Sequence, residues 1–440
     1  MSQLPRYESY KDSGVQWLGE IPNHWDVKQL KFAVTCNDEA LGENTEPDYE
    51  ILYVDISSVS LTDGIKHKEE LSFKNAPSRA RRIVKSGDVL VSTVRTYLKA
   101  ITYVEFAEEN LIASTGFAIL RPSEKFDSKF IGYWIQSEGM VGNIVANSVG
   151  VSYPAINSTD LVRLPIVEAP LIEQKIIADF LDKRLAQVDA LIAKQETLLE
   201  KLAEQRVALI SHAVTKGLNP DVEMKESGVE WLGKVPNHWK TIRIKFLGDI
   251  VLGLTYSPED VTTSERGTLV LRSSNVQKGM LALNDNVYVE KSIPKKMVTT
   301  DQDILICSRN GSRALIGKCA LIEGEGVGQA FGAFMTVLRS PYRKYLYYVL
   351  SSGLFKYQIG SFLTSTINQL TTYALGNFEI AFPLEEEQKK ITDYLDQELA
   401  EIEKVEDNVG KTLRALQEYR STLITKVVTG KIDVRNLKVN

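Results

Sequence analysis

The sequence predicts an α+β protein in which two pseudo-symmetric globular domains, each with mixed or barrel-like β structure, are joined by two long helices that form an antiparallel coiled coil. Three observations predict this fold class. A Trp-rich stretch occurs twice, short β-branched segments follow each copy, and each copy ends in a long heptad pattern of apolar residues. Two similar halves are therefore expected to act together in one chain.

The duplication is clearest in the opening stretch of each copy. Residues 11–25 read KDSGVQWLGEIPNHW and residues 225–239 read KESGVEWLGKVPNHW, with 11 identities in 15 positions at an offset of 214. The same offset matches six later residues of one copy with six of the other: Gln174, Lys175, Ile177, Asp179, Leu181 and Asp182 with Gln388, Lys389, Ile391, Asp393, Leu395 and Asp396. Copies of this length are domains rather than the short stacked units of a solenoid.

The repeated stretch predicts an apolar clasp around a turn, formed in the first copy by Trp17, Leu18, Ile21, Pro22 and Trp25. His24 and His238 lie inside the two clasps at matching positions. Such a pair could serve as metal ligands or bases, but no carboxylate or cysteine cluster repeats beside the histidines in the sequence. A structural role is therefore the favoured interpretation.

Short segments rich in β-branched and aromatic residues follow each clasp and predict strands. They are residues 51–56, 89–94 and 101–106 in the first copy and 268–272, 304–307 and 319–322 in the second. The predicted globular domains span residues 1–168 and 218–382, and the helical segments span 169–217 and 383–440. After the second strand the copies diverge into different polar loops, at 93–99 and 308–313, which predicts related domains that bind different things.

Residues 173–215 and 386–429 carry apolar heptads that predict a coiled coil. The predicted seam consists of Ile177, Leu181, Val188, Leu191, Leu198, Leu202 and Leu209 on one helix and Ile391, Leu395, Ile402, Val405, Val409, Leu416 and Leu423 on the other. It is interrupted at Arg184, Gln195, Gln205, Glu398 and Thr412. About 42 residues at 1.5 Å each make a rod of roughly 63 Å. The alternative is two independent amphipathic helices, each lying on its own domain.

Composition and motifs exclude several classes of protein. No apolar run reaches the roughly 18 residues that span a bilayer, and the N-terminus lacks the apolar core of a secretory signal, so we expect a cytoplasmic protein. Cys36, Cys307 and Cys319 are widely spaced among apolar neighbours, which favours structural thiols over a zinc site or disulfide. No phosphate-binding glycine loop, metal spacing or adenine-orienting motif occurs. The sequence predicts recognition without catalysis and no cofactor or metal on this chain.

Local charge indicates a nucleic acid partner. Residues 66–99 contain nine Lys or Arg and three acids, and residues 291–318 contain six and two, within a chain of net charge −5. Most basic runs are solvated surface, but Arg and Asn in loops can also read guanine and adenine. The candidate DNA contacts are Arg79, Arg81, Arg82, Arg95 and Lys99 in the first copy and Lys295, Lys296, Arg309, Asn310 and Arg313 in the second.

Four motifs resemble the specificity subunit of a type I restriction-modification system: the WLGxIPxHW opening, the GDVL strand at 87–90, the PLIEQ helix entry that ends at Gln174, and the LISHAVT helix end at Thr215. The resemblance covers essentially the whole chain. The second copy departs from it slightly, with one additional residue before Gln388 and with Gln302 where the first copy has Gly87.

The resemblance implies that each globular unit is a target-recognition domain that reads one half of a bipartite, asymmetric sequence in double-stranded DNA. The helices then set the spacer length and dock two modification subunits, which carry S-adenosylmethionine and methylate adenine N6. Two restriction subunits, which use ATP and magnesium, join them. The alternative is a protein-interaction scaffold or an inactive relative with duplicated domains on a coiled coil.

Overall fold

The chain forms two compact units. The computed structural model describes residues 5–362 and 368–437, except the side chains of residues 361 and 362. The first unit comprises Met1–Glu196 and Lys411–Asn440, and the second comprises Thr197–Gly410. Each unit therefore contains one β-rich region and a part of each long helix. Residues 1–4, 363–367 and 438–440 of the predicted domain ranges lie outside the described residues.

The first unit contains fourteen strands in its described residues: β1 (Tyr10–Asp12), β2 (Glu20–Pro22), β3 (Asp26–Gln29), β4 (Val34–Cys36), β5 (Glu50–Val54), β6 (Val59–Ser60), β7 (Gly64–Ile65), β8 (Glu69–Ser72), β9 (Ala80–Ile83), β10 (Val89–Ser92), β11 (Ile101–Tyr103), β12 (Leu111–Ser114), β13 (Phe117–Pro122) and β14 (Pro165–Glu168). Helices α1 (Ser128–Gln136), α2 (Glu138–Ala146) and α3 (Ser158–Leu161) precede the long helix α4 (Leu171–Lys216).

Two four-stranded sheets form the centre of this unit. The first is antiparallel with the order β11-β10-β13-β4, and the second is mixed with the order β8-β5-β12-β9, in which β5 and β12 are parallel. Leu90 of one sheet, Val54 of the other and Phe117 are buried in a shared core. Among the described residues these sheets do not close, so the mixed-sheet form of the prediction is the correct one, not a closed barrel.

The second unit repeats these elements: β15 (Met224–Glu226), β16 (Lys234–Pro236), β17 (Lys240–Arg243), β18 (Asp249–Leu252), β19 (Val261–Thr262), β20 (Thr268–Leu271), β21 (Val276–Gln277), β22 (Met280–Leu281), β23 (Tyr288–Val289), β24 (Asp303–Cys307), β25 (Cys319–Leu321), β26 (Ala330–Phe331), β27 (Met335–Arg339) and β28 (Glu379–Phe382). Its helices are α5 (Arg343–Ser351), α6 (Gly353–Phe362), α7 (Thr372–Gly376) and the long helix α8 (Glu385–Val428).

Sheet topology shows that the two units share one fold. The order β25-β24-β27-β18 reproduces β11-β10-β13-β4, and β20 lies parallel to β26 as β5 lies parallel to β12. The predicted strand segments correspond to β5, β10, β11, β20, β24 and β25, and the two predicted helices correspond to α4 and α8. The predicted α+β fold class with two pseudo-symmetric domains is confirmed.

The clasp packs as an apolar core and connects to the long helix. Trp25 and Trp239 are fully buried. His24 Nε2 lies 2.8 Å from Glu173 Oε2, and His238 Nε2 lies 2.8 Å from Glu387 Oε2, in the first turns of α4 and α8. No carboxylate repeats beside the histidines in the sequence, because the glutamate that binds each histidine lies 149 residues further along the chain. The structural role holds, since each pair joins a clasp to a helix.

Within each unit the two long helices run antiparallel. In the first unit the last turns of α8, with Val427, share a core with the first turns of α4, while Arg420 Nε lies 2.9 Å from Asp189 Oδ1 further along. In the second unit Arg206 Nη1 lies 3.7 Å from Glu406 Oε2. These partly exposed ion pairs link residues of the two helices, and such pairs along a helix seam favour one register.

Three of the fourteen predicted seam residues are wrong, and the other eleven are buried or half-buried. Ile177, Leu181, Val188, Leu202, Ile391, Leu395, Ile402 and Val409 are buried, and Leu416 is half-buried. In contrast, Leu191, Leu198 and Val405 are 46%, 39% and 43% exposed and do not lie in the seam. Leu185 and Leu399 occupy the alternate seam position instead. Where two adjacent residues are apolar, such as Leu198 and Leu199, the sequence allows two heptad assignments. Only the position of the partner helix determines which residue lies in the seam.

Candidate nucleic-acid interface

The first unit presents an anchored loop after β10, which we call the β10–β11 loop (residues 93–100). Thr93 begins it: its N–H and its hydroxyl both donate to the Gly116 carbonyl, at 2.8 and 2.9 Å. Its own carbonyl accepts from the Ile156 N–H at 2.9 Å. The loop is thus fixed both to the turn between β12 and β13 and to the α2–α3 loop (residues 147–157).

The tip of the β10–β11 loop is held in an unusual backbone conformation. Arg95 and Lys99 have φ angles of 50° and 52° on either side of a short 3-10 turn. A non-glycine residue in this left-handed region costs roughly 1 kcal/mol or more, so the rest of the loop must compensate. A hydrogen bond of 2.7 Å between the hydroxyls of Thr96 and Ser148 contributes to this. The turn leaves Tyr97 about half exposed.

Cations and apolar side chains share this tip. The Arg95 guanidinium lies 4.7 Å from the centre of the exposed Tyr153 ring, which belongs to the α2–α3 loop. Leu98 and Lys99 are also exposed. Stacked arginine and aromatic side chains suit contact with bases, and lysine suits contact with phosphate. The tip therefore has the chemistry of a nucleic-acid contact.

The second unit builds its loop on the same frame. In this β24–β25 loop (residues 308–318), the N–H and the hydroxyl of Ser308 both donate to the Phe334 carbonyl at 3.0 Å. The Ser308 carbonyl accepts from the Leu370 N–H at 2.7 Å. The Arg309 guanidinium lies 5.2 Å from the centre of the Phe334 ring. The backbone anchors match those of the first unit, whereas the side chains presented to solvent differ.

The other candidate DNA contacts of the second unit differ in whether their polar atoms already form hydrogen bonds within the protein. The Asn310 amide donates to Ser273 Oγ at 3.1 Å, and its oxygen accepts from the Ser312 N–H, so its polar atoms act within the protein. Arg313 donates to the Gly360 carbonyl at 2.7 Å. Lys295 and Lys296 lie exposed in a 3-10 turn before β24 and make no ion pair with any described residue.

The structure separates the three arginines around β9. Arg79 lies beside the β12–β13 turn, because its carbonyl accepts from the Thr115 N–H, and its guanidinium contacts Asp55 at 2.6 Å. Burial alone would raise the pKa of Asp55, but the Ser57 N–H and the Arg79 charge outweigh it and keep that pKa below its ordinary value.

Arg81 and Arg82 make different contacts from Arg79. The Arg81 guanidinium covers the Phe73 ring at 4.6 Å, and Arg82 Nε is buried without a hydrogen-bond partner in the described part of the chain. The structure therefore brings only Arg79 of these three to the loops that hold Arg95. The role of Arg81 and Arg82 as DNA contacts stays a prediction.

Comparison with known proteins agrees with this geometry. A family model described as the type I restriction modification DNA specificity domain matches residues 34–201 and 236–409, one match for each repeat. The chain belongs to this family. Its two β-rich regions are therefore two DNA specificity domains, carried on long helices.

Three similar proteins give the extent of the match. The specificity subunit of type I restriction enzyme MjaVIII from Methanocaldococcus jannaschii is 22% identical over 95% of both chains. That of EcoKI from Escherichia coli is 28% identical over 69% of this chain and 66% of its own. A solved structure concerned with complex assembly and conformational transition of the type I restriction-modification system superimposes with a TM-score of 0.72 and 22% identity, covering 93% of this chain and 98% of that one.

Each specificity domain fixes its loop-bearing strand with a buried ion pair. Asp88, immediately before β10, accepts two hydrogen bonds from Arg121, at 2.8 and 2.9 Å. Asp303, at the start of β24, accepts two from Arg339, at 2.7 and 2.8 Å. Both carboxylates are buried, and hydrogen bonding to Asp303 raises the pKa of Arg339. An aspartate can therefore precede the apolar residues of both strands, because bidentate pairing is what makes a buried carboxylate tolerable.

The apolar members of the interface were not predicted from the sequence. Tyr97, Leu98, Tyr153 and Phe334 are exposed at the loops, yet only cations and Asn310 were selected as candidates. Aromatic residues inside polar loops were the available signal. The sequence of the α2–α3 loop contains no such signal, since Tyr153 contacts Arg95 only in the folded domain.

No group of three or more metal-ligating side chains lies close enough to hold an ion in the described residues. None of the helices in the described ranges has the length and hydropathy to cross a membrane.

Proposed function

We propose that this chain is the non-catalytic specificity subunit of a type I restriction-modification complex, and that it reads a bipartite, asymmetric DNA sequence. One observation carries the proposal: two domains with the same topology and the same loop anchors present different side chains. Thr93 and Ser308 make equivalent hydrogen bonds, yet the loops then diverge into Arg95-Thr96-Tyr97 and Asn310-Gly311-Ser312. Two domains that share a fold and loop anchors but present different loop side chains are suited to reading two different half-sites.

The contacts proposed for each half-site follow from exposure and position. In the first domain Arg95 reads a base edge, while Lys99 and Arg79 contact the DNA backbone. In the second domain Arg309 reads a base edge, and Arg313, Lys295 and Lys296 contact phosphate. Asn310 shapes its loop through the hydrogen bond to Ser273 and reaches DNA only if that bond exchanges.

The partners proposed for the chain are double-stranded DNA, two modification subunits and two restriction subunits in the cytoplasm. S-adenosylmethionine, ATP and magnesium act on those partner subunits rather than on this chain. The antiparallel helices, with their charged seam pairs, are proposed to set the spacer between the half-sites, since DNA half-sites repeat on one face about every 34 Å.

The test is adenine methylation mapping. A plasmid library is exposed to the modification subunit together with this chain, with the modification subunit alone as the control. We expect methylation of one bipartite motif with two different halves, and only when both proteins are present. If the two proteins co-purify but no motif is methylated, the chain is a scaffold or an inactive relative. A palindromic motif would contradict the assignment of different targets to the two domains.

A further inference from the structure

Two phenylalanines occupy the same position in both repeats and are largely exposed. Phe32 is 62% and Phe246 is 72% exposed, and each follows a lysine whose ammonium lies over the ring, with Lys31 Nζ at 5.0 Å and Lys245 Nζ at 5.4 Å from the ring centre. We call each pair a Lys-Phe knob. Neither lysine forms an ion pair with a described residue, although the Lys245 ammonium donates a hydrogen bond to the Asn377 Oδ1 at 2.9 Å.

The repeats provide an internal comparison for these residues. Aligned at the offset of 214, residues 26–40 and 240–254 are identical at only two positions, which are the lysine and the phenylalanine of the knob. The buried neighbour is not identical, since Leu30 corresponds to Ile244. Packing inside the domain therefore requires only that the buried position be apolar, and not that the residue be the same in both copies. It does not explain why an exposed aromatic residue is the same in both copies.

Each knob lies where a specificity domain joins its long helix. In the first unit the knob follows β3, and the N–H groups of Leu30 and Lys31 donate to the carbonyls of Leu164 and Val162, at 2.8 and 2.7 Å. β3 pairs with β14, which leads into α4. In the second unit the knob follows β17, which pairs with β28 before α8. The backbone therefore holds both phenylalanines at the same place relative to their own helix start.

We propose that the two Lys-Phe knobs are equivalent anchors for two copies of one protein, the modification subunit. Each copy would receive the phenylalanine in an apolar pocket edged by carboxylates that pair with the lysine. This inference rests on the proposed function. The half-sites differ, so an identical surface is unsuited to reading them, whereas two copies of one partner require two identical surfaces. An aromatic residue beside a cation is a common type of interface anchor.

The experiment uses the full chain and its cognate modification subunit, co-purified and examined by native mass spectrometry and titration. F32A and F246A are the test variants, separately and combined. F106A and Y357A are matched controls, because Phe106 is 83% and Tyr357 is 75% exposed and neither belongs to a knob. Removal of an aromatic anchor weakens binding at one site by about 10- to 30-fold.

We expect each single variant to lose one modification subunit, the double variant to lose both, and the two controls to keep two. K31E and K245E should weaken the same site as the phenylalanine changes. All variants should retain the melting temperature of the parent chain, because the changed side chains are exposed. Two subunits bound to F32A/F246A with unchanged affinity would overturn the anchors while leaving the proposed function intact. A parent chain that binds no modification subunit would instead contradict the proposed function.

Discussion

Arg95→Ala and Arg309→Ala should relax recognition in opposite halves of the target. Both guanidinium groups are exposed and lie over an aromatic ring of their own domain, and their loops share one set of backbone anchors. A good bidentate contact between arginine and guanine contributes about 1 to 3 kcal/mol of discrimination. Each substitution should therefore reduce the affinity for the cognate duplex by roughly 5- to 150-fold.

The assay measures Kd by fluorescence anisotropy, with the chain bound to its modification subunit. The duplexes carry the mapped motif and every single-base change in either half, at several salt concentrations. We expect Arg95→Ala to bind variants of the first domain's half-site almost as well as the cognate sequence, while discrimination in the other half is unchanged. Arg309→Ala should give the mirror image. Each variant is thereby the control for the other.

Two results would refute this reasoning. An equal loss of affinity for all duplexes, with the salt dependence reduced by about one ion, would make Arg95 a phosphate contact. Lost discrimination in both halves would show that the domains do not read independently. Arg95→Gly adds an internal check, because glycine adopts the left-handed conformation without steric cost. It should be more stable than Arg95→Ala by about 1 kcal/mol and equally deficient in discrimination.

Three further outcomes concern stability and geometry. Arg339→Ala leaves the fully buried Asp303 carboxylate without its bidentate partner and should cost about 3 to 5 kcal/mol in chemical denaturation, whereas Lys11→Ala should change little. Burial raises the pKa of Cys319 from 9.0 to about 11. The stability that this group contributes is complete below pH 9 and is lost as the pH rises towards 11, at up to about 1.4 kcal/mol per pH unit. Cys319→Ala should remove that part of the slope. One heptad inserted at matching positions of α4 and α8 lengthens each by about 10 Å and should change the spacer but neither half-site.

The sequence predicted the features that depend on periodicity and repetition. Both long helices, the strands that carry the loops and the duplicated domains follow from local patterns, and the structure has them within a few residues. The seam register was predicted only in part. Leu191 and Leu198 have the correct heptad spacing but are exposed, whereas the apolar residue after each of them, Ile192 and Leu199, is half-buried. A heptad pattern alone does not fix which of two adjacent apolar residues faces the partner helix.

Contacts between distant residues could not be predicted from one sequence. His24 meets Glu173, and Arg95 meets Tyr153, only after the domain has folded. Charge counting likewise grouped Arg79 with Arg82, although Arg82 Nε is buried and Arg79 reaches the loop end of the domain. Composition indicates that a surface is basic, but tertiary structure decides which cations lie together.

The repeats separate the parts of the molecule that must be the same from the parts that must differ. Asp182 binds Lys129 and the Tyr133 hydroxyl, both at 2.6 Å, and thereby attaches α1 to α4. Asp396 makes the equivalent contacts with Lys344 and Tyr348 and attaches α5 to α8. These attachments, the clasps and the Lys-Phe knobs are repeated, whereas the loops after β10 and β24 are not. Recognition of a new DNA target therefore requires different loops, while the contacts that attach each domain to its long helix stay the same. We expect that exchanging residues 93–100 and 147–157 together for those of a related chain transfers the recognition of one half-site. Exchanging either segment alone should break the Thr96–Ser148 hydrogen bond and transfer no recognition.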